Sequence, residues 1–537
     1  MSLASPGSLE SEPPVPVLIQ AWAAVQPDAT FCVEVGGRSL TYAEFGNEAC
    51  GWSLALAAAG VAAGDVVLTM MPTSCDGLAI WMGLARLRAV DAAVNTDFTG
   101  KMLEYIISDT GASIAIVHAD YVGRFAQVSS LASLTQIVVV GEHGTDAGIG
   151  CRVVAASEFL VPGAPPAELG EYPARHDVSC VIYTSGTTGP SKGVLVPWAQ
   201  LSATIPPEWQ TGAGTGEAQY VPLPMYHIAG RSAVAIMARH GGKLVLRNGF
   251  SVHAFWDDIT EHSCTITLVA GAMTNFLFRQ PPRPDDADNP LAKIVMAPVI
   301  PEHREFAERF GVEIVTGFNM TEISLPVYFP DGIPDWKACG RLRRGYPHYE
   351  IRIVDEFDNE VPPGQAGELI VRTQAPWTLN AGYLGKPEAT VAAWRNGWFH
   401  TGDAFRMDRN GHCYFVDRFK DAIRRRGENI SSFEVEAVVN DHPAVTESAA
   451  IGVPSQFGED DVQIFVVLRG GMSVEPAQLI EFLGPRMPRF MLPRFVQVIA
   501  SLPKTEATQR VRKHELRTLV DPALRWDRDA PMQLSAG

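Results

Sequence analysis

From residue 17 to 180 the chain alternates alanine-rich stretches of helical character with short β-branched runs, and this alternation restricts the fold more than any other feature. The runs DVVLTM, SIAIV and QIVVV are strand-length and apolar throughout, which a strand tolerates only when both its faces are covered. AEFGNEACGWSLALAAAG, AIWMGLARLRAV and KMLEYIISDTG supply the covering helices. Repeated units of this kind build a parallel sheet. The pattern resumes in KLVLR, TITLV, KIVMAPV and VEIVTGF, with PEHREFAERFG as a helix among them. Near residue 345 the texture changes, and YEIRIVD, GELIVR and HCYFVDR, separated by Pro/Gly turns, predict a smaller β-rich unit. After Asp417 comes a compact module with EVEAVVNDH and AQLIEFLG as helices and ESAAIGVP and VQIFVVLRG as strands. The expected class is α/β: a large N-terminal domain of parallel βα sheets plus a β-rich subdomain, followed by a small α+β C-terminal domain. Residues 1–15 and 521–537 are expected to be tails, the first because MSLASPGSLESEPPV is too polar and proline-bearing to bury apolar surface.

Within this frame the segment YTSGTTGPSKGV, residues 183–194, follows the apolar run VSCVIYT and sits at a strand end. Gly186, Gly189 and Gly193 let backbone N–H groups turn toward an anion, Thr184, Ser185, Thr187, Thr188 and Ser191 add hydroxyl donors, and Lys192 adds a point charge. This is the composition of a phosphate-gripping loop. It is not a Walker A loop, because the order at its end is Ser191-Lys192-Gly193 rather than Gly-Lys-Ser/Thr.

The 537 residues carry a formal net charge of −17, which opposes a nucleic-acid groove and requires anionic ligands to be met by local clusters of donors. The eight cysteines form no CxxC pair, no leader sequence is evident and no run is long and apolar enough for a membrane span, so a reducing cytoplasm is the expected location.

The loop resembles the signature of the adenylate-forming superfamily of acyl-CoA synthetases, nonribosomal peptide adenylation domains and luciferases. Further matches follow in that family's order: LPMYHIAG (223–230), GFNMTEIS (317–324), WFHTGD (398–403), DRFKDAIRRRGENISSFEVE (417–436) and LPKTEATQRVRKHELR (502–517). GFNMTEIS and IRRRGENISSFEVE are most similar to the carnitine/crotonobetaine-type CoA ligase branch. The resemblance implies a body over residues 16–417, a hinge at 418–421 with Lys420 as pivot, and a mobile lid domain over 422–520.

It also implies ATP, Mg2+ and CoA as ligands, and a small-molecule carboxylic acid or other oxyanion as the substrate to be adenylated. Two anions must then be aligned, so catalysis is charge neutralisation and positioning. Carried over position by position, Thr184, Ser185, Gly186, Thr187, Thr188, Gly189 and Lys192 hold the phosphates and Glu322 holds the metal ion. Ala297, Pro298, Phe318, Asn319, Met320 and Thr321 surround the adenine. Asp403 accepts from the ribose hydroxyls, and Arg418 reaches the ribose or α-phosphate. His227 lies near the acyl mouth, with Arg231, Met273 and Ile323 as further pocket wall. One departure stands out: where the family has a Gly-Lys pair in its terminal loop, this chain has Gln509-Arg510, with Lys504 and Lys513 nearby. A guanidinium is planar and larger than an ammonium, so Arg510 is expected to serve the adenylation step differently. The leading expectation is an ATP-dependent acid:CoA ligase. Adenylation of nitrite for diazotisation of an arylamine, and a nucleotide-binding homologue without catalysis, are the alternatives.

Overall fold

The computed structural model describes residues 12–142, 148–160, 170–184, 190–204, 206, 212, 214–330, 332–418, 422–425, 428–456, 458–503, 511 and 513–530. Its architecture is mixed α/β, with a large sheet-bearing N-terminal body and a smaller C-terminal domain.

One sheet of the body has seven strands in the order Arg152–Ala155, Gln136–Val140, Ile114–His118, Val66–Met70, Val90–Ala93, Val178–Thr184 and Lys192–Pro197. All neighbours are parallel except the last two, which form an antiparallel hairpin with Thr184 opposite Lys192. Gly193 is required in this hairpin, since a Cβ there would lie 2.6 Å from Val181 Cγ1. The covering helices start where the sequence supplies caps. Thr41 and Glu44 form a capping box before Tyr42–Ala58, and Ser74 accepts from the Gly77 N–H at the head of Cys75–Arg86. Gly100–Thr110 ends at Gly111, whose φ of 61° only glycine adopts without strain. Between the layers Trp81 stacks on Trp198 at 5.5 Å.

The second body sheet has thirteen strands. At its centre Glu313–Met320 pairs in parallel with Lys293–Ala297 on one side and antiparallel with Ser324–Phe329 on the other. The β-rich unit expected after residue 345 is therefore hydrogen-bonded into the same sheet rather than standing apart. The cause is the tight reversal at residues 321–323, closed by the Ile323 N–H donating to the Met320 carbonyl at 3.2 Å, which permits only antiparallel pairing. Gly340–Leu342, His412–Arg418, Phe399–Met407, Ala366–Thr373 and Tyr349–Val354 extend that half.

The C-terminal domain opens with the hairpin Ala422–Arg425 and Glu428–Ser431, followed by the helix Ser432–Val439. Its four-stranded sheet runs Val445–Pro454, Asp460–Leu468, Phe495–Val498 and Trp526–Asp527. It sits on the body: Leu68, Met70 and Phe98 of the body share one apolar cluster with Ile430, Val435 and Met491. Lys101 pairs with Asp441 at 2.6 Å across the junction.

Charge pairs fasten described residues at the inner ends of both expected tails. Glu12 is buried and accepts from Arg239 Nε at 2.9 Å, ahead of a helix at Val15–Val25. Asp527 accepts from Arg494 Nε at 3.0 Å, which fastens residues 526–527 as a sheet edge beyond the expected boundary at 520. No helix among the described residues is long and apolar enough to cross a membrane.

Candidate active site

The site forms where the two body sheets and the lid meet. The hairpin of the seven-stranded sheet presents Thr184 and Lys192 on opposed strands. Ser185, Gly186, Thr187, Thr188 and Gly189 lie outside the described residues. From the other sheet comes Glu322, buried in the reversal that joins the parallel half to the antiparallel half.

A segment that the sequence reading did not single out, residues 380–386, ties these pieces together. Its backbone runs along the Lys192 strand: Leu195 N–H donates to the Gly382 carbonyl at 2.9 Å, and Leu384 N–H to the Gly193 carbonyl at 2.8 Å. Tyr383 then bridges the two sheets. Its ring centroid lies 5.0 Å from Lys192 Nζ, and its hydroxyl donates to Glu322 Oε1 at 3.3 Å. Burial and the Glu322 carboxylate push the phenol pKa up, so the hydroxyl stays a donor. The turn carrying Glu322 is clamped from two sides. Asn380 donates its backbone N–H at 3.0 Å and its side-chain amide at 2.9 Å to the Glu322 carbonyl, and Gln200 donates to the Thr321 carbonyl at 2.7 Å.

Behind the hairpin the Asp109 carboxylate accepts from Tyr183 at 2.9 Å and pairs with Lys386 at 2.6 Å. The Tyr105 hydroxyl reaches the Ser191 carbonyl at 2.8 Å. Asp109, Tyr105 and Lys386 were also absent from the sequence reading, because their sole signal is convergence in space from distant segments.

Among the described residues there is no group of three or more His, Cys, Asp or Glu side chains that could form a closed metal cage. Glu322 alone suits Mg2+, which keeps most of its coordination for water and phosphate oxygens and asks the protein for one or two carboxylates.

Of the residues expected around the nucleotide, Phe318 is half-buried and meets Phe405 edge-to-face at 4.7 Å, while Asn319 is exposed and Met320 and Thr321 are half-buried. Ala297 ends its strand half-buried and Pro298 follows exposed. Asp403 is buried in the strand Phe399–Met407, its N–H given to the Thr401 hydroxyl at 3.1 Å, and it stands opposite Arg418 in the strand register. The two expected ribose contacts are thus neighbours across one strand pair.

His227 lies immediately before the helix Ile228–His240. That helix can begin so close to the preceding loop because residue 230 is glycine; a Cβ there would overlap the Pro224 carbonyl. His227 Nε2 is 3.0 Å from Glu428 Oε2, a carboxylate of the lid hairpin. Burial disfavours the charged imidazole, but the Glu428 carboxylate outweighs it through charge and hydrogen bonding and holds the pKa above the ordinary value. Lid and body also meet at Ser191, whose backbone N–H donates to Glu434 Oε1 at 3.1 Å and whose hydroxyl donates to the same oxygen. Thr184, Tyr226, His227, Glu428 and Glu434 surround a remaining space of about 60 Å³. Glu428 and Glu434 lie within the 417–436 motif, yet nothing in the motif indicated which of its carboxylates would face the body.

Two pocket expectations are corrected. Arg231 is buried, with Nε donating to the Met225 carbonyl at 2.7 Å, its guanidinium 4.2 Å over the Trp81 ring and a terminal nitrogen on Asp91. Its charge is matched inside the core by Asp91. Ile323 is wholly buried in the apolar cluster with Val327 and Phe399, because the reversal turns it away from the Glu322 side. Met273, in the helix Gly271–Phe278, is half-buried against the cluster containing Val269 and Met296. Lys420, Lys504 and Arg510 lie outside the described residues, and only the backbone of Arg418 is described. Lys513 is already engaged, at 2.5 Å from both Ser432 Oγ and Glu436 Oε1, so in this arrangement it does not stand in for the terminal-loop lysine.

A family model described as AMP-binding enzyme matches residues 19–384, and one described as AMP-binding enzyme C-terminal domain matches 434–508. The chain belongs to the AMP-binding enzyme family. This AMP-binding enzyme is 27% identical over 490 residues to crotonobetaine/carnitine–CoA ligase of Salmonella heidelberg strain SL476, covering 89% of this chain and 93% of that protein. Among solved structures, a double mutant of Bacillus subtilis o-succinylbenzoate CoA synthetase bound with a product analogue aligns with a TM-score of 0.80 at 21% identity, over 96% of this chain and 99% of that one. The same synthetase in complex with AMP gives 0.64 at 21% identity, over 94% and 98%. The amide bond synthetase McbA from Marinactinospora thermotolerans gives 0.78 at 23% identity, over 94% and 99%.

Proposed function

We propose that this AMP-binding enzyme is an ATP-dependent acid:CoA ligase working in two steps through an acyl-adenylate. The observation that carries the reading is the joining of Lys192 and Glu322, from two different sheets, through Tyr383. That places a cation and a metal-suited carboxylate where a triphosphate running off the hairpin would need them. A carboxylate oxygen of the acid attacks the α-phosphorus of ATP, and the bond to the β-phosphate bridging oxygen breaks, releasing pyrophosphate. Lys192 and the hairpin hydroxyls neutralise the departing charge, and Asp403 orients the ribose. Mg2+, when bound at Glu322, adds positive charge against the phosphate oxygens.

In the second step the CoA sulfur attacks the acyl carbon and expels AMP, and the thiol proton leaves to solvent or base. The lid serves each step from a different position, pivoting at Lys420. The position seen here sets Glu428 against His227, and the close alignment to the product-analogue complex supports assigning it to the thioester step. Arg510 serves the first step from the other position. The preference among relatives for CoA as acceptor supports the thioester product over an amide or a diazonium.

The test is incubation with ATP, Mg2+ and a panel of small carboxylic acids, with pyrophosphate and free thiol both followed. Acid-dependent pyrophosphate release matched by equimolar loss of CoA thiol is expected. Acid-dependent release with no thiol loss, or nitrite-dependent release in the presence of arylamines, would overturn the reading.

A further inference from the structure

Ser191 aims a backbone N–H and a hydroxyl at a single oxygen, and that oxygen belongs to Glu434 of the lid. A main-chain donor and a hydroxyl converging on one anionic oxygen is how glycine- and hydroxyl-rich loops hold phosphate. Ser191 lies in the phosphate-gripping segment, one residue before Lys192. Its donors are fixed from behind: the residue is buried, and the Tyr105 hydroxyl holds its carbonyl at 2.8 Å. The donor pair is therefore set in place whichever anion it faces.

The lid side is equally specific. Glu434 is in the first turn of the helix Ser432–Val439, and Glu436, two residues on and so on the opposite side, is turned into the lid. There it accepts from the Ala450 N–H at 2.8 Å and from Lys513. Of the two carboxylates only Glu434 is directed at the hairpin, and it arrives with Glu428 engaging His227 a few residues earlier on the same domain.

We propose that Glu434 is a resident stand-in for a phosphate oxygen: with the lid in this position its carboxylate occupies the Ser191 donors, so the lid and a bound pyrophosphate or ATP exclude one another there. The inference rests on the two-position lid described above. Two anionic oxygens brought to the same place repel one another, and the Ser191 N–H and hydroxyl, converging on one point, serve one of them at a time. Pyrophosphate must leave before the lid docks, and the departing anion is replaced by one from the protein, which keeps the buried donors satisfied. A fresh ATP reverses the exchange and lifts the lid. The same contact thereby fixes the order of the two half-reactions.

The experiment is calorimetric titration of inorganic pyrophosphate, and separately of Mg-ATP, into the full-length wild type and Glu434→Ala. Alanine is the best helix former, so the first turn survives the change, and thermal melting checks it. Loss of the competing carboxylate is expected to tighten pyrophosphate binding by about five-fold or more, the lower end of ordinary coupling between sites. By reciprocity, saturating pyrophosphate should speed amide hydrogen exchange across Ser432–Val439 in the wild type and have little effect in Glu434→Ala. Equal or weaker binding in the variant, or exchange that is unchanged or slowed in the wild type, overturns the proposal. A wild type that binds neither pyrophosphate nor ATP overturns instead the reading of the site itself.

Discussion

Arg231 and Tyr383 show how differently a sequence exposes the roles of single side chains. An arginine directly after an aromatic-His motif invites assignment to a substrate anion, yet its guanidinium is spent on Asp91, the Met225 carbonyl and the Trp81 ring. Arg231→Ala strands the buried Asp91 carboxylate, so it should lower unfolding stability by about 3–5 kcal/mol, as read by urea denaturation. A soluble, equally stable variant with altered acid preference would restore the pocket role. Tyr383 was silent in the sequence because a tyrosine in a Gly-containing segment has many ordinary uses. Its function depends on meeting Lys192 and Glu322, which lie far from it along the chain. Tyr383→Phe removes one hydroxyl and leaves the ring under Lys192. A net hydrogen bond of about 1 kcal/mol corresponds to roughly a five-fold change in affinity. Equilibrium binding of Mg-ATP should weaken by about that factor, while melting temperature and magnesium-free nucleotide binding stay near wild type. Equal weakening with and without the metal would mean that the hydroxyl does not act through Glu322.

Elements were legible where period and punctuation agree. The strands Val66–Met70, Ile114–His118 and Gln136–Val140 match to within a residue the β-branched runs that predicted them, and Gly111 ends its helix where a left-handed residue is needed. Sheet partnership was not legible, because pairing is decided by the reversal at residues 321–323 and by distant strands rather than by local pattern. For the same reason the site's Lys192 and Glu322 could be named from motifs, while the clamp of Gln200 and Asn380 around the Glu322 turn could not. The lid hairpin Glu428–Ser431 carries a prediction of its own. His227 has its pKa raised above the ordinary 6.5, burial opposing and Glu428 prevailing. The charged pair therefore favours docking fully below pH 6.5, and the benefit is lost as pH rises through the raised value. Asp97 also lies in this field, with its own pKa raised by burial and by Glu428 against the pull of Arg124. Amide exchange across residues 428–431 should quicken as pH rises through that window, after correction for intrinsic rates. In Glu428→Gln only the burial effect on His227 remains, so the transition should move below the wild-type window. An unshifted transition would assign it to another group.

At the scale of the whole molecule, the body and lid share one apolar cluster and yet contact each other at the active site through carboxylates. Apolar packing is non-directional and can be remade in a second orientation, whereas the Glu428 and Glu434 contacts are directional and belong to the orientation seen here. On the two-position reading, this division gives a lid that docks firmly but is released by competing anions and by loss of the His227 proton. The sequence displayed both domains, since a hinge motif and a change of texture mark the join. It did not display which lid face meets the body, because both candidate faces lie in motifs of similar polarity. Lys101 and Asp441, paired at 2.6 Å with the lysine largely exposed, offer a place to hold this orientation without entering the site. Cysteines at 101 and 441 bridged by a short bismaleimide should trap it. On the proposed two-position reading, the trapped enzyme cannot bring Arg510 to the α-phosphate, and it keeps Glu434 on Ser191. Pyrophosphate release from ATP and acid should therefore fall by at least about a hundred-fold, the scale on which one transition-state charge contact acts. Thioester formation from a supplied acyl-adenylate should continue, provided that AMP can leave. Cleaving or omitting the bridge should restore the first step in the same protein. A bridged enzyme that still releases pyrophosphate at the unbridged rate would show that adenylation needs no second lid position, and the roles given to Arg510 and Lys420 would fall with it.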